Sequence, residues 1–232
     1  MLYTLFWGSI GCIISCADRS GDGAVWAARR WVHWILASCG IEIECSGVES
    51  FDPSRPYVFM ANHRSVFDVA AIVATLPVPF RFVAKRELTW IPVFGWALRL
   101  GGHVIVDRRR RDRSVRSLER AAERIRRGTS VIIFPEGTRG ESDQLGEFKS
   151  GGFHLALRAG VPVVPVSVSG SRRITPKHSL RIESGRIRVH YGAPIATQHR
   201  ALDDRSALKE EVRRAILLHL EADSGDSAGA SG

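Results

Sequence analysis

Seven residues, Asn62-His63-Arg64-Ser65-Val66-Phe67-Asp68, bring a base and an acid into one short stretch. They follow a strand-like run, Tyr57-Val58-Phe59-Met60, and lead into an apolar helical run from Val66 to Leu76. A histidine leaving a strand and an aspartate in the first turn of the next helix can come within hydrogen-bonding reach. The carboxylate would then hold one ring nitrogen and leave the other free as a base near neutral pH. A purely structural reading stands beside that one. Ser65 also fits an N-cap, with Asp68 as an acid in the first turn against the helix dipole.

Three further stretches fall at the ends of strand-like runs, where open α/β sheets place their ligands. Lys85 follows Phe80–Ala84, and Asp107-Arg108 follows His103–Val106, with Arg109, Arg110 and Arg111 behind it. Phe134-Pro135-Glu136-Gly137-Thr138-Arg139 follows Ser130–Ile133. A glycine beside a threonine and an arginine can present backbone N–H groups and a guanidinium to a phosphate. Taken singly, Lys85 and Arg108 read as solvated surface charges, and Glu136 as the partner of a nearby arginine. Their recurrence at successive strand ends is what a random surface would rarely give.

The elements that must position these residues alternate between strand and helix from Ile41 onward, which argues for an α/β fold with a central, mostly parallel sheet flanked by helices. Expected strands are Ile41–Cys45, Tyr57–Ala61, Phe80–Ala84, His103–Val106, Ser130–Phe134 and Val163–Val168. Expected helices are Val66–Leu76, Val93–Leu100, Ser114–Arg127 and Gly152–Ala159, with Gly128 and Gly160 where C-terminal glycines belong. Leu180–Glu183 and Arg186–Tyr191 read as a hairpin across Ser184-Gly185. Asp203–Leu220 reads as a closing helix. This gives an α/β domain over residues 41–222 and a small, polar, disordered tail over 223–232.

Residues 1–40 have a different texture. Residues 2–17 carry no charge, a length at the short end for a bilayer span. After a polar break, Ala24–Ser38 sets Trp26, Trp31 and Trp34 among Arg29, Arg30 and His33, a mixture that suits the headgroup level. The expectation is a helical hairpin dipping into one leaflet; a pair of ordinary core helices and a single span are the alternatives. The 33 basic and 24 acidic residues give a net charge of +9, which calls for an anionic partner. All four cysteines lie between Cys12 and Cys45, without zinc-site spacing, and read as reduced, apolar-packed thiols.

The chain resembles the glycerolipid acyltransferases, most closely the lysophosphatidic acid acyltransferases. The resemblance rests on NHRSVFD at 62–68, GHVIVDRRRR at 102–111, FPEGTR at 134–139 and VPVVPVSV at 161–168, with FVAKREL at 82–88 before the second block. It covers about half the chain, from Tyr57 to Gly170. It implies direct acyl transfer from acyl-CoA or acyl-carrier protein to the sn-2 hydroxyl of lysophosphatidic acid, giving phosphatidic acid, with no resident cofactor or metal. His63 would be the general base and Asp68 would orient and stabilise its imidazolium. Glu136, Gly137, Thr138 and Arg139 would bind the acceptor, Lys85 and Arg108 would help hold its phosphate, and Val161–Val166 would lie near the acyl chain. The implied location is the cytoplasmic face of a membrane with anionic lipids.

The residues agree on one point independently. No G-x-S-x-G nucleophile elbow is present and no cysteine lies near His63, so a base acting directly on the substrate hydroxyl is the economical mechanism. Two rivals remain open at this level. One keeps the chemistry and changes the acceptor to glycerol-3-phosphate, another lysophospholipid or an acylated amino lipid. The other is a non-enzymatic binder of anionic lipid or nucleic acid; nucleic acid is disfavoured, because no zinc-finger, P-loop or Gly-x-Gly-x-x-Gly pattern supports it.

Overall fold

The computed structural model describes residues 6, 7, 9–11, 13, 14, 18, 22–91, 94–106, 111–142, 144–179 and 181–229. In chain order its principal elements are α1 (Asp22–Ser38), β1 (Ile41–Ser46), β2 (Val58–Ala61), α2 (Val66–Thr75), β3 (Phe80–Lys85), α3 (Phe94–Leu100), β4 (Val104–Val106) and α4 (Arg111–Arg126). They continue with β5 (Ser130–Ile133), α5 (Gly151–Ala159), β6 (Val163–Ser169), α6 (Ser171–Ile174), β7 (Gly185–Tyr191) and α7 (Arg205–Gly229).

The seven strands form one sheet in the order β1-β7-β6-β2-β5-β3-β4. β6, β2, β5, β3 and β4 are mutually parallel, while β7 runs antiparallel to β6 and takes β1 along with it. The central strands are apolar on both faces, as parallel strands covered by helices must be. Phe59, Ile132, Val164 and Val166 pack with α1 and α2 on one face. Val58, Met60, Val131, Ile133 and Val163 pack with α4, α5 and α7 on the other. Along α7, Leu208, Val212, Ile216 and Leu220 recur every four residues and are all buried, which lays the helix along the sheet.

Three expectations differ from the structure. Leu180–Glu183 and Arg186–Tyr191 do not pair as a hairpin, since residues 181–184 are not strand. β7 finds backbone partners on both sides, in β1 and β6, so it needs no second hairpin arm. Arg29 does not reach toward headgroups: its Nη2 donates to the carbonyls of Leu76 and Val78, at 2.5 and 2.9 Å. Those oxygens lie at the end of α2, where helix carbonyls lack intrahelical partners. The closing helix runs on to Gly229, through residues 223–229 that composition placed in the tail.

Of the first 21 residues, those described between 6 and 14 are helical, and Trp7 meets Trp26 edge-on at 6.0 Å. Among the described residues no helix is long and apolar enough to cross a membrane.

Candidate active site

β2 ends at Ala61, and the next side chain extends the sheet. Asn62 is fully buried; its Nδ2 donates to the Val168 carbonyl at 2.8 Å and its Oδ1 accepts the Val168 N–H at 2.7 Å. An amide side chain thus makes one more rung between β2 and β6, and it fixes the point from which His63 leaves the sheet. Sequence reasoning placed Asn62 beside His63 but gave it no partner.

Ser65 caps α2, its Oγ accepting the Phe67 N–H at 3.3 Å and donating to the Thr175 carbonyl at 2.9 Å. Asp68, in the first turn, points back over the cap. Its Oδ2 accepts the N–H groups of Arg64 and Ser65 at 2.5 and 2.7 Å, and lies 3.0 Å from His63 Nδ1. One oxygen therefore makes both the capping bonds and the contact with the imidazole. A carboxylate accepts hydrogen bonds, so this contact places the imidazole proton on Nδ1 and leaves Nε2 as the basic atom. Asp68 is completely buried, whereas the His63 side chain keeps 17% of its surface open. Phe134 stacks on the ring with centroids 4.2 Å apart and fixes its plane.

The second motif grips the first through the backbone. Glu136 Oε1 accepts the His63 N–H at 2.7 Å, and Oε2 accepts the Gly146 N–H at 3.0 Å. Burial pushes the Glu136 carboxyl above its ordinary range, against the opposing pull of those two N–H groups and of nearby Arg64. Expected on the acceptor, Glu136 is instead turned inward: it is 6% exposed, and both oxygens bind main chain. Two other backbone donors near this turn are also engaged within the protein. Gly137 N–H reaches the Phe134 carbonyl at 3.0 Å and Gly140 N–H the His63 carbonyl at 2.8 Å. Gly137 has φ 75°, which a side chain would strain. The Gly137 N–H is therefore spent on the turn itself.

Gly146 and Arg213 were missed from the sequence. A Cβ at Gly146 would sit 2.6 Å from Glu136 Oε2, so a side chain there would push the carboxylate from its place. Arg213, on α7, donates to the carbonyls of Gly146 and Leu145 at 2.7 and 3.1 Å, and lies over the Phe148 ring. A lone glycine in a polar loop and an arginine on a distant helix carry no sequence signal for this.

The cations divide. Thr138 is exposed and Arg139 half-buried, two and three residues after Glu136. Lys85 is the exposed last residue of β3, paired in register with Val106 of β4. Met60 lies level with Ile133 and Phe82 with Ile132, so His63, the 134–139 turn and Lys85 leave the same edge of adjacent strands. At about 4.8 Å per strand, β2 and β3 stand about 10 Å apart, with β5 between them. Neither Lys85 nor Arg139 has a hydrogen-bond or ion-pair partner among the described residues. Arg108 lies outside the described residues. Val161–Val166, expected beside an acyl chain, belongs to or adjoins β6, whose valines are buried in the core.

Residues 42–169 match the family model described as Acyltransferase. The chain is 36% identical over 191 residues to 1-acyl-sn-glycerol-3-phosphate acyltransferase alpha of Ovis aries, covering 82% of this chain and 67% of the relative. It is 30% identical over 213 residues to 1-acyl-sn-glycerol-3-phosphate acyltransferase of Saccharomyces cerevisiae, covering 90% and 70% respectively. The crystal structure of the 1-acyl-sn-glycerophosphate (LPA) acyltransferase PlsC from Thermotoga maritima superposes with a TM-score of 0.82 at 25% identity, over 96% of this chain and 90% of that one. The matched span contains His63, Asp68 and the whole 134–139 turn, and this chain belongs to the acyltransferase family.

Proposed function

We propose that this chain is a 1-acylglycerol-3-phosphate O-acyltransferase. It moves a fatty acyl group from acyl-CoA or acyl-carrier protein to the sn-2 hydroxyl of lysophosphatidic acid and yields phosphatidic acid. The observation that carries the reading is the 3.0 Å contact of His63 Nδ1 with a buried carboxylate, on a ring that remains open to solvent. The names of the relatives support the choice of acceptor.

In this mechanism His63 Nε2 takes the proton of the acceptor hydroxyl as its oxygen attacks the thioester carbon. Asp68 stabilises the imidazolium that forms, and the proton then leaves with the thiolate, so the products are ester and free thiol. Such a base contributes about 10²–10⁴-fold. Holding two substrates together, and donors aimed at the thioester oxyanion, supply the rest. Arg139 and Lys85 bind the acceptor phosphate, Arg139 as a bidentate donor and Lys85 as a point charge. Glu136, with Gly146, positions the main chain of His63 and touches no substrate.

The test incubates purified protein with lysophosphatidic acid and a long-chain acyl-CoA or acyl-carrier protein, and reads product mass. Phosphatidic acid should appear, and glycerol-3-phosphate or lysophosphatidylcholine in its place should give far less product. Equal turnover of those acceptors would refute the assigned substrate.

A further inference from the structure

Five large apolar side chains stand exposed within thirteen residues: Leu88, Trp90, Ile91, Trp96 and Leu100, with Trp90 and Trp96 exposed by 63% and 58%. They belong to the 3-10 turn Arg86–Trp90, Ile91 directly after it, and helix α3. Their exposure does not come from loose packing. The Gly95 N–H bonds the Ile91 carbonyl at 2.7 Å, and a Cβ on Gly95 would come 2.3 Å from the Thr89 carbonyl oxygen. Buried Thr89 ties the unit from inside, its Oγ1 donating to the Arg86 carbonyl at 2.7 Å and accepting from Arg99 at 3.1 Å. Turn and helix thus meet main chain against main chain; Leu98 points into the core, and Leu88, Trp90, Ile91, Trp96 and Leu100 are turned out.

We propose that this surface docks on a bilayer carrying anionic headgroups, separately from residues 1–40. Clustered tryptophan and leucine on a soluble face mark a binding surface rather than chance exposure. The charge on the same stretch selects the partner: Lys85, Arg86 and Arg99 are cationic, and Glu87 is the single acid between 85 and 100. Tryptophan flanked by arginine suits the depth where acyl chains meet headgroups, and basic residues add attraction to anionic lipid. The surface begins one residue after Lys85, on the edge of the sheet from which His63 departs. Docking there sets the mouth of the site at the lipid surface, where an amphiphilic acceptor resides.

The experiment measures partitioning of the full chain onto vesicles of phosphatidylcholine with and without phosphatidylglycerol, by sedimentation and without acyl donor. Trp90→Ser/Trp96→Ser should lower the partition coefficient on anionic vesicles at least about tenfold. Trp90→Phe/Trp96→Phe should restore much of it. Thermal melting, and turnover of a monomeric short-chain lysophosphatidic acid, should stay as in the parent protein. Unchanged partitioning of the serine variant would overturn the proposal. So would a serine variant that bound vesicles normally but changed from dimer to monomer in light scattering, which would assign the face to a second copy of the chain. The binding arm uses no catalytic step, so it succeeds or fails separately from the acyl-transfer reading.

Discussion

The backbone N–H of His63 and the carboxylate of Glu136 meet at 2.7 Å across 73 residues of sequence. One hydrogen bond therefore joins the motif that holds His63 to the motif that carries Arg139. Glu136→Gln keeps the shape but turns an amide N–H₂ toward one of two backbone donors, so either His63 or Gly146 loses its partner. We expect kcat to fall about tenfold to a hundredfold, with acceptor KM little changed. Gly146→Ala should reproduce the effect by displacing Oε2. Steady-state kinetics on both variants checks this; a rise in KM at constant kcat would return Glu136 to the acceptor.

Arg139 differs in kind, because its guanidinium has no partner among the described residues. Arg139→Ala should raise the KM for a phosphate-bearing acceptor about tenfold or more, the weight of a lost charge-assisted bond. An unchanged KM in an acceptor titration would remove Arg139 from the binding site.

Asn62 carries a stability prediction. Asn62→Ala leaves both the N–H and the carbonyl of buried Val168 without partners. Chemical denaturation should show a loss of about 2–4 kcal/mol, and activity should fall as His63 loses its anchor at the strand end. A loss below about 0.5 kcal/mol would mean that water replaces the rung.

His103 predicts an acid-side instability. Its Nδ1 accepts the Phe82 N–H at 2.8 Å, and burial together with Arg81 and Arg124 lowers its pKa from 6.5 to about 4. The folded state thus binds this proton less readily than the unfolded chain. The contribution is complete above pH 6.5 and is lost as pH falls toward 4, on the order of 3 kcal/mol. His103→Gln should flatten the stability profile over that window, as followed by urea denaturation at stepped pH. An identical profile in the variant would contradict the assignment.

What could be read in the sequence was what short-range pattern encodes. Val163–Val168 and Ser130–Ile133 are apolar runs, and each forms a central strand within a residue of its expected ends. The pairing of His63 with Asp68 followed from a strand end and a helix first turn five residues apart. Side-chain bonds to distant main chain were hidden, because Asn62 to Val168 and Arg213 to Gly146 depend on how strands and helices are assembled. The inward turn of Glu136 was hidden for the same reason: an acid beside an arginine looks the same in sequence whether it faces solvent or core. The 181–184 segment was misjudged because β7's partners, β1 and β6, are set by topology and not by the adjacent turn.

The proposed reaction depends most on His63 and Asp68 acting as one unit on the acceptor hydroxyl. The most direct measurement is a double-mutant cycle on kcat/KM for lysophosphatidic acid, using His63→Ala, Asp68→Asn and the pair, with melting temperatures to confirm folding. His63→Ala should lower the rate by about 10²–10⁴-fold, and adding Asp68→Asn should cost little more, since the carboxylate acts only through the ring. Losses that multiply, or a folded His63→Ala protein with full activity, would contradict it.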